Sequence, residues 1–179
     1  MNNILIVVDY QKDFVSGALG FEAAQALETG IAQRVETALA QGWKVLFTRD
    51  THQPDYLESR EGRYLPVPHC LQGSEGWQLE GSLHRYETAP VDGVAFVDKP
   101  TFGSAGLPQA VQDLCGGEPG EIQLCGVVTN ICVVSNAILL HSFFLNSEIS
   151  IVSSLCAAPN PQDHQRALDL LAGMGYKIL

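Results

Sequence analysis

The sequence is short of basic residues. Of its 179 residues, 10 are Lys or Arg and 20 are Asp or Glu, which gives a formal net charge of −10. A surface of that sign repels nucleic acid and anionic membranes, and no cluster of basic residues offsets it. We therefore expect a protein that binds neither nucleic acid nor membranes.

Long apolar runs and a leader segment are also lacking. No apolar run approaches the roughly 20 residues that span a bilayer, and residues 1–9 have no basic n-region and no small-residue cleavage site. We expect a cytoplasmic protein, in which the five cysteines, none in a short CxxC pair, stay reduced. With 46% hydrophobic residues, the chain is predicted to form one globular domain over residues 1–179.

Strand and helix patterns alternate along the chain. Apolar β-branched runs predict strands at residues 4–9, 44–48, 94–98, 121–126, 147–153 and 176–178, and helical spacing predicts helices at 22–41, 108–115, 131–144 and 161–174. This alternation is typical of an α/β protein with an open, mainly parallel six-stranded sheet and helices on both faces, a Rossmann-like three-layer fold. Residues 51–90 show little periodicity, and a loop of that length is usually either functional or a segment whose helices and strands the pattern does not reveal.

Chemically useful residues stand where the predicted strands end. Asp9 ends the first strand, Asp50 the second, Lys99 follows the third, and Cys132 follows the fourth and opens a helix. Ligand sites of open α/β sheets lie beyond these strand ends, where the strand order reverses. The reversal would bring the ends of the first and fourth strands together, so Asp9 and Cys132 could meet.

Cys132 is the best candidate nucleophile. A position at a helix N-terminus favours the thiolate and supplies N–H groups for an oxyanion. We expect Lys99 to lower the pKa of this thiol further, and Asp9 to accept and return a proton. Cys156, expected just after the fifth strand, is the second candidate, whereas Cys125 is expected in the core.

A second group of residues suits a divalent metal ion. Asp50, His52 and His69 offer one carboxylate and two imidazoles, a set that fits Zn²⁺, Mn²⁺ or Fe²⁺. Glu58 and Glu61 lie between the two histidines, and either could be a further ligand. From the residues alone, the alternative is that both histidines are loop residues that make ordinary hydrogen bonds.

Five segments together resemble the isochorismatase-like cysteine hydrolases, and within them the nicotinamidase/pyrazinamidase group. They are residues 7–14 (VVDYQKDF), 50–52 (DTH), 68–76 (PHCLQGSEG), 98–102 (DKPTF) and 126–133 (GVVTNICV). Their order and spacing make the resemblance specific, and it covers essentially the whole chain.

The resemblance implies a catalytic triad of Asp9, Lys99 and Cys132. It also implies a cis peptide bond between Val127 and Val128, with the N–H groups of Val128 and Cys132 as the oxyanion hole. The implied reaction is amide hydrolysis, in which the Cys132 thiolate forms a thioester that water then cleaves.

The resemblance further implies metal ligands Asp50, His52 and His69, with Glu61 as a possible fourth. The implied metal is Zn²⁺, with Mn²⁺ or Fe²⁺ as alternatives, and it would bind the ring nitrogen of the substrate. Phe14 would line the substrate pocket. A homo-oligomer is implied as well.

The predicted function is therefore a nicotinamidase, which converts the small amide nicotinamide to nicotinate and ammonia in NAD salvage. Departures from that group bear on the substrate: Asn130 stands where an acid is usual, and Tyr56 and Leu57 stand near the usual place of a further histidine. The alternatives are a cysteine amidase of the same fold that acts on an N-carbamoyl or ureido compound, and a non-catalytic binding protein. Cys132 argues against a true isochorismatase, which lacks this nucleophile.

Overall fold

Six strands form the sheet of the computed structural model, which describes residues 2–179. They are β1 (Ile4–Val8), β2 (Lys44–Asp50), β3 (Val94–Lys99), β4 (Glu121–Val127), β5 (Glu148–Ala157) and β6 (Lys177–Ile178). The strand order is β3-β2-β1-β4-β5-β6, and every neighbouring pair is parallel. The predicted open parallel sheet of six strands is confirmed.

Helices cover this sheet on both faces. They are α1 (Lys12–Val15), α2 (Glu22–Gln25), α3 (Glu28–Ala40), α4 (Arg60–Tyr64), α5 (Arg85–Thr88), α6 (Leu107–Cys115), α7 (Val134–Phe143) and α8 (Pro161–Gly173). All five residues of β1 are buried, as expected for a central parallel strand whose two faces are both covered.

The strand order reverses at β1. The chain runs outward from β1 through β2 to β3 and then returns to the other side of β1 as β4, so the carboxyl ends of β1 and β4 lie side by side. Val8 is paired with Gly126 near those ends. Gly126 has φ +112°, and a Cβ there would collide with the main chain of Val8, so this close approach requires glycine.

The helix predicted at residues 22–41 is two helices, α2 and α3. The N–H of Leu27 bonds to the carbonyl of Ala24, three residues earlier, so a tighter turn interrupts the α-helical ladder between them. Apolar spacing continues through this turn, which explains why the spacing does not reveal it.

β5 is longer than predicted and extends to Ala157. The register between β4 and β5 shifts after the Leu124–Ile151 pair, and pairing resumes at Gly126 and Cys156. Cys156 therefore lies inside β5 and not after it, so its expected position beyond the strand end is wrong.

Residues 51–90 contain more regular structure than their lack of periodicity suggests. Besides α4 and α5 they hold two 3₁₀ turns, and isolated bridges join His52 to Leu71 and Gln11 to Leu79. Across residues 2–179, no helix combines the length and the apolar character needed to cross a membrane.

Candidate active site

The structure brings the three predicted triad residues together. Asp9 directly follows β1, Lys99 is the last residue of β3, and Cys132 lies in the turn after β4. Lys99 Nζ is 2.6 Å from Asp9 Oδ2 and 3.8 Å from Cys132 Sγ. All three side chains are buried.

Thr48 holds one side of the Asp9 carboxylate. The Thr48 hydroxyl donates to Asp9 Oδ1 at 2.6 Å, and the Asp9 N–H approaches the main-chain and side-chain oxygens of Thr48 at 3.2 Å. The other oxygen, Oδ2, has no hydrogen-bond donor of good geometry within residues 2–179 and meets Lys99 as an ion pair. Asp9 thus has one anchored oxygen and one that can exchange a proton.

Burial and neighbouring charges shift the pKa values of both Asp9 and Lys99. Burial raises the pKa of Asp9, although Lys99 opposes the rise. Burial also opposes the charged form of Lys99, but the carboxylates of Asp9 and Asp50 outweigh it and raise the pKa of the lysine. A buried carboxylate with a raised pKa is a competent proton acceptor.

The sequence-based prediction of a lowered thiol pKa for Cys132 is wrong. Burial raises the pKa of this thiol well above its ordinary value, because the loss of hydration outweighs the attraction of Lys99. A raised thiol pKa calls for a group that removes the proton as the sulfur reacts.

The turn that carries Cys132 is a π-helical segment. It spans Thr129–Val133 and continues directly into α7, so helical structure begins two residues earlier than predicted. The peptide bond between Val127 and Val128 is cis, as the resemblance implies. The N–H groups of Ile131 and Val133 both bond to the Val128 carbonyl, at 3.2 and 3.3 Å, which closes the turn.

The predicted metal ligands form a second cluster. Asp50, His52, Glu61 and His69 each offer a ligand atom, and these four atoms lie within 4.8 Å of one another. Asp50 Oδ2 is 2.9 Å from His52 Nε2 and 3.2 Å from His69 Nε2. Of the two glutamates that the sequence offers, Glu61 joins the cluster, while Glu58 is exposed.

This donor set fits a first-row divalent cation. Two imidazoles and two carboxylates converge, and His69 Nδ1 lies 2.8 Å from the Val67 carbonyl, which orients Nε2 toward the other donors. Burial opposes the charge of Asp50, but hydrogen bonds from the two histidines prevail and keep the pKa of this carboxyl below its ordinary value. For Glu61, burial and the charge of Asp50 raise the pKa.

Asp50 connects the two clusters. Its Oδ1 is 3.3 Å from Lys99 Nζ, while its Oδ2 faces both histidines. The same carboxylate therefore lies between the predicted triad and the predicted metal ligands.

Gln11 is a site residue that the sequence analysis missed. Its side-chain amide donates to the carbonyls of Asp50 and Trp77, at 2.9 and 2.8 Å, and accepts from the Asp50 N–H at 2.7 Å. These bonds fix the main chain of Asp50. The sequence feature that could have indicated Gln11 is its position two residues after Asp9, within the motif at residues 7–14.

Tyr56 is a second residue near the metal-binding group. Its ring centroid lies 4.4 Å from that of His52 and 5.0 Å from that of His69, so it packs against both imidazoles. Its hydroxyl donates to the Leu65 carbonyl at 3.0 Å, which fixes the ring in place.

One cavity adjoins both clusters. It has a volume of about 290 Å³, and Phe14, predicted to line the substrate pocket, forms part of its wall beside His69 at a ring distance of 5.3 Å. Its lining also includes Leu19, Asp50, Glu61, Leu65, Phe102, Val128, Asn130, Ile131, Cys132, Pro159, Asn160 and Asp163. The nucleophile candidate and three of the metal-ligand candidates thus face the same space.

Comparison with known proteins agrees with this architecture. Two crystal structures of similar proteins superpose closely: a pyrazinamidase/nicotinamidase from Streptococcus mutans UA159 (30% identity, 99% of this chain and 100% of that one, TM-score 0.87) and the nicotinamidase/pyrazinamidase PncA from Bacillus subtilis (28% identity, 99% of both chains, TM-score 0.88). The nicotinamidase of Escherichia coli strain K12 is 25% identical over 97% of this chain and 92% of its own length. The model of the isochorismatase domain matches residues 3–179, and the chain belongs to the isochorismatase family.

Proposed function

We propose that this protein is a nicotinamidase that hydrolyses nicotinamide to nicotinate and ammonia through a thioester on Cys132. The chain is a hydrolase of amide bonds, as the similarity to nicotinamidases and pyrazinamidases over its whole length indicates. The observation that carries the finer proposal is the shared cavity, in which Cys132 and the ligand side chains of Asp50, His69 and Glu61 line the same space.

Asp9 is the proton carrier in this mechanism. It takes the proton of the Cys132 thiol as the sulfur attacks the amide carbonyl carbon, which forms a C–S bond and a tetrahedral oxyanion. When the intermediate collapses, Asp9 gives this proton to the departing nitrogen, the C–N bond breaks, and ammonia leaves. Water then attacks the thioester with Asp9 again as base, the acid is released, and the proton returns to sulfur.

The buried charges support these roles. The raised pKa of Asp9 suits a group that must hold a proton between the two halves of the reaction. Lys99, 2.6 Å from Asp9 and 3.8 Å from Cys132 Sγ, offsets the negative charge as it moves from carboxylate to sulfur. We assign the oxyanion hole to the N–H groups of Val128 and Cys132, two residues that line the cavity.

Asp50, His52 and His69 would hold the metal ion, with Glu61 as the fourth donor, and Zn²⁺ suits this set, as do Mn²⁺ and Fe²⁺. A bound cation would supply a Lewis acid that accepts the ring nitrogen of nicotinamide. Phe14 offers the flat ring an apolar wall beside His69.

We also propose that the protein assembles as a homo-oligomer. Ile138 and Phe143 on α7 and Leu145 just after it are exposed to 37%, 45% and 85%, which leaves three apolar side chains at the surface of residues 138–145. Phe144, by contrast, is buried in the core. Sedimentation of the purified protein tests this proposal, and a monomer at all concentrations would reject it.

Ammonia release from nicotinamide by the purified protein, with Zn²⁺, Mn²⁺ or Fe²⁺ added, tests the proposed reaction. We expect metal-dependent release that Cys132→Ala abolishes while the fold and the metal content stay intact. Cys156→Ala is the matched control, because Cys156 is also buried but lies inside β5. Release that persists in Cys132→Ala would reject the nucleophile.

A metal-loaded protein that releases no ammonia from nicotinamide would reject the substrate. The alternative, a cysteine amidase for N-carbamoyl or ureido compounds, is tested on the same protein with those compounds. A chain that hydrolyses neither kind of amide would favour a binding protein.

A further inference from the structure

Asn136 lies outside the catalytic groups, yet its side chain is fully buried beside them. It stands on α7, one turn after Cys132. Its Nδ2 donates to the Cys132 carbonyl at 2.9 Å and to the Phe102 carbonyl at 3.2 Å, and its Oδ1 accepts from the Ser104 N–H at 2.9 Å. One side chain therefore bonds both to the turn that carries Cys132 and to residues 100–104, the segment that follows β3.

Asn136 bonds to this segment in the way that a neighbouring β-strand would. Asn136 donates to the carbonyl at position 102 and accepts from the N–H at position 104, so its amide takes the place of a neighbouring main chain. Between them, Gly103 lies against α7: a Cβ there would come within 2.9 Å of Leu139 Cδ1 and 3.1 Å of Ser135 Cβ. The segment is in direct contact with α7 and has little room to move toward this helix.

Two contacts of the candidate active site belong to this segment. The Thr101 carbonyl accepts a hydrogen bond from Lys99 Nζ at 3.0 Å, and the Phe102 side chain lines the cavity that Cys132 also lines. A shift of the segment relative to α7 would change where the ammonium group lies with respect to the sulfur, 3.8 Å away, and would move one wall of the cavity.

We propose that Asn136 is a positioning residue for the hydrolytic reaction, which fixes Lys99 and Phe102 relative to Cys132. The proposal rests on the proposed role of Cys132 as nucleophile. Asn136 acts through main-chain groups and is not among the residues that line the cavity. Its contribution is geometric, and misplacement of a reacting group by about 1 Å can cost roughly 100-fold in rate.

The variants are Asn136→Ala, Asn136→Asp and Gly103→Ala. Asn136→Asp keeps the size of the side chain but loses both donors. Gly103→Ala crowds the contact between the segment and α7, because its Cβ would lie 2.9 Å from Leu139 Cδ1 and 3.1 Å from Ser135 Cβ, and it leaves every polar group in place. Tyr176→Phe is the matched control, because the buried Tyr176 hydroxyl donates to the carbonyl of Ala137 at 3.0 Å on the same helix. It removes one buried hydrogen bond to α7 without a contact to the segment.

Three experiments are done on the metal-loaded proteins. They give kcat and KM for nicotinamide, the midpoint of thermal unfolding, and the pH profile of Cys132 alkylation by iodoacetamide, with the modified peptide identified by mass spectrometry. We expect the three variants to lower kcat by about 10- to 100-fold with a smaller change in KM. The alkylation profile moves to higher pH, because a displaced Lys99 stabilises the thiolate less. Tyr176→Phe lowers only the unfolding midpoint.

A purely structural role predicts a different result. If the Asn136 variants lose thermal stability as Tyr176→Phe does, while kcat stays within twofold and the alkylation profile does not move, the proposal is overturned. If Asn136→Ala does not fold, Gly103→Ala and Asn136→Asp decide the question. A wild-type protein inactive on nicotinamide would reject the proposed substrate, yet the alkylation profiles would still decide the role of Asn136.

Discussion

Replacement of Lys99 by methionine tests the buried charge arrangement. The ammonium group is fully buried, 2.6 Å from Asp9 Oδ2 and 3.3 Å from Asp50 Oδ1, and both carboxylates are buried as well. Methionine has a similar length and no charge, so Lys99→Met preserves the packing and leaves Asp9 without its counter-ion, while Asp50 keeps its contacts with His52 and His69.

The expected cost follows from this burial. Removal of one partner of a buried ion pair typically costs about 3–5 kcal/mol of folding free energy, because the remaining charge is uncompensated. For a chain of this size each kcal/mol shifts the unfolding midpoint by about 2–4 °C, so we expect a fall of about 6–20 °C. The metal-free protein is the right sample, since a cation bound at Asp50 would itself compensate the charge.

Thermal and urea unfolding of metal-free wild type and Lys99→Met measure this cost. Lys177→Met is the control, because Lys177 pairs with Glu148 at the surface and exposed pairs contribute less than about 1 kcal/mol. The double variant Asp9→Asn with Lys99→Met should recover part of the loss, since it removes the uncompensated charge of Asp9. A midpoint of Lys99→Met within about 2 °C of wild type, or a double variant no more stable than the single one, would refute the argument.

Further predictions concern the metal-binding group and the thiol. Gln11→Met removes three hydrogen bonds to the main chains of Asp50 and Trp77 and should lower zinc affinity about 10-fold or more, measured by competition with a chelator; retention equal to wild type would contradict this. His52→Ala should lower the bound metal and raise KM together, and an unchanged metal content would undo the ligand assignment. Because burial raises the pKa of Cys132, its alkylation rate should keep rising with pH beyond 9.0, the ordinary value for a thiol, and a plateau at neutral pH would count against that shift.

The sheet and the neighbourhood of the triad could be predicted because they follow from strand ends. A run such as Ile4–Val8, apolar on both faces, fits only a central strand, and the residue after it must lie at the edge where parallel strands end. Asp9 and Cys132 therefore meet once β1 and β4 are neighbours, whatever the details of the turns between them.

The remaining features depend on packing that no local pattern encodes. The thiol pKa of Cys132 is set by its burial, which overrides the helix N-terminus and Lys99. Cys156 lies inside β5, and not after it, because the register between β4 and β5 shifts. Gln11 and Asn136 each bond to main chain that is distant in sequence, so their side chains look ordinary until the fold supplies those partners.

Three buried side chains, those of Asp50, Gln11 and Asn136, explain how the predicted triad and the predicted metal ligands are held together as one site. Asp50 directs one oxygen to Lys99 and the other to both histidines, so the distance between the metal-binding group and the triad is set by the width of a single carboxylate. Gln11 fixes the main chain of that residue, and Asn136 fixes the segment after Lys99 to the turn that carries Cys132. In the proposed reaction the substrate is held by its ring at one end and attacked at its amide at the other, so that distance has to stay constant. Side-chain amides buried among main-chain groups are rigid enough to keep it so.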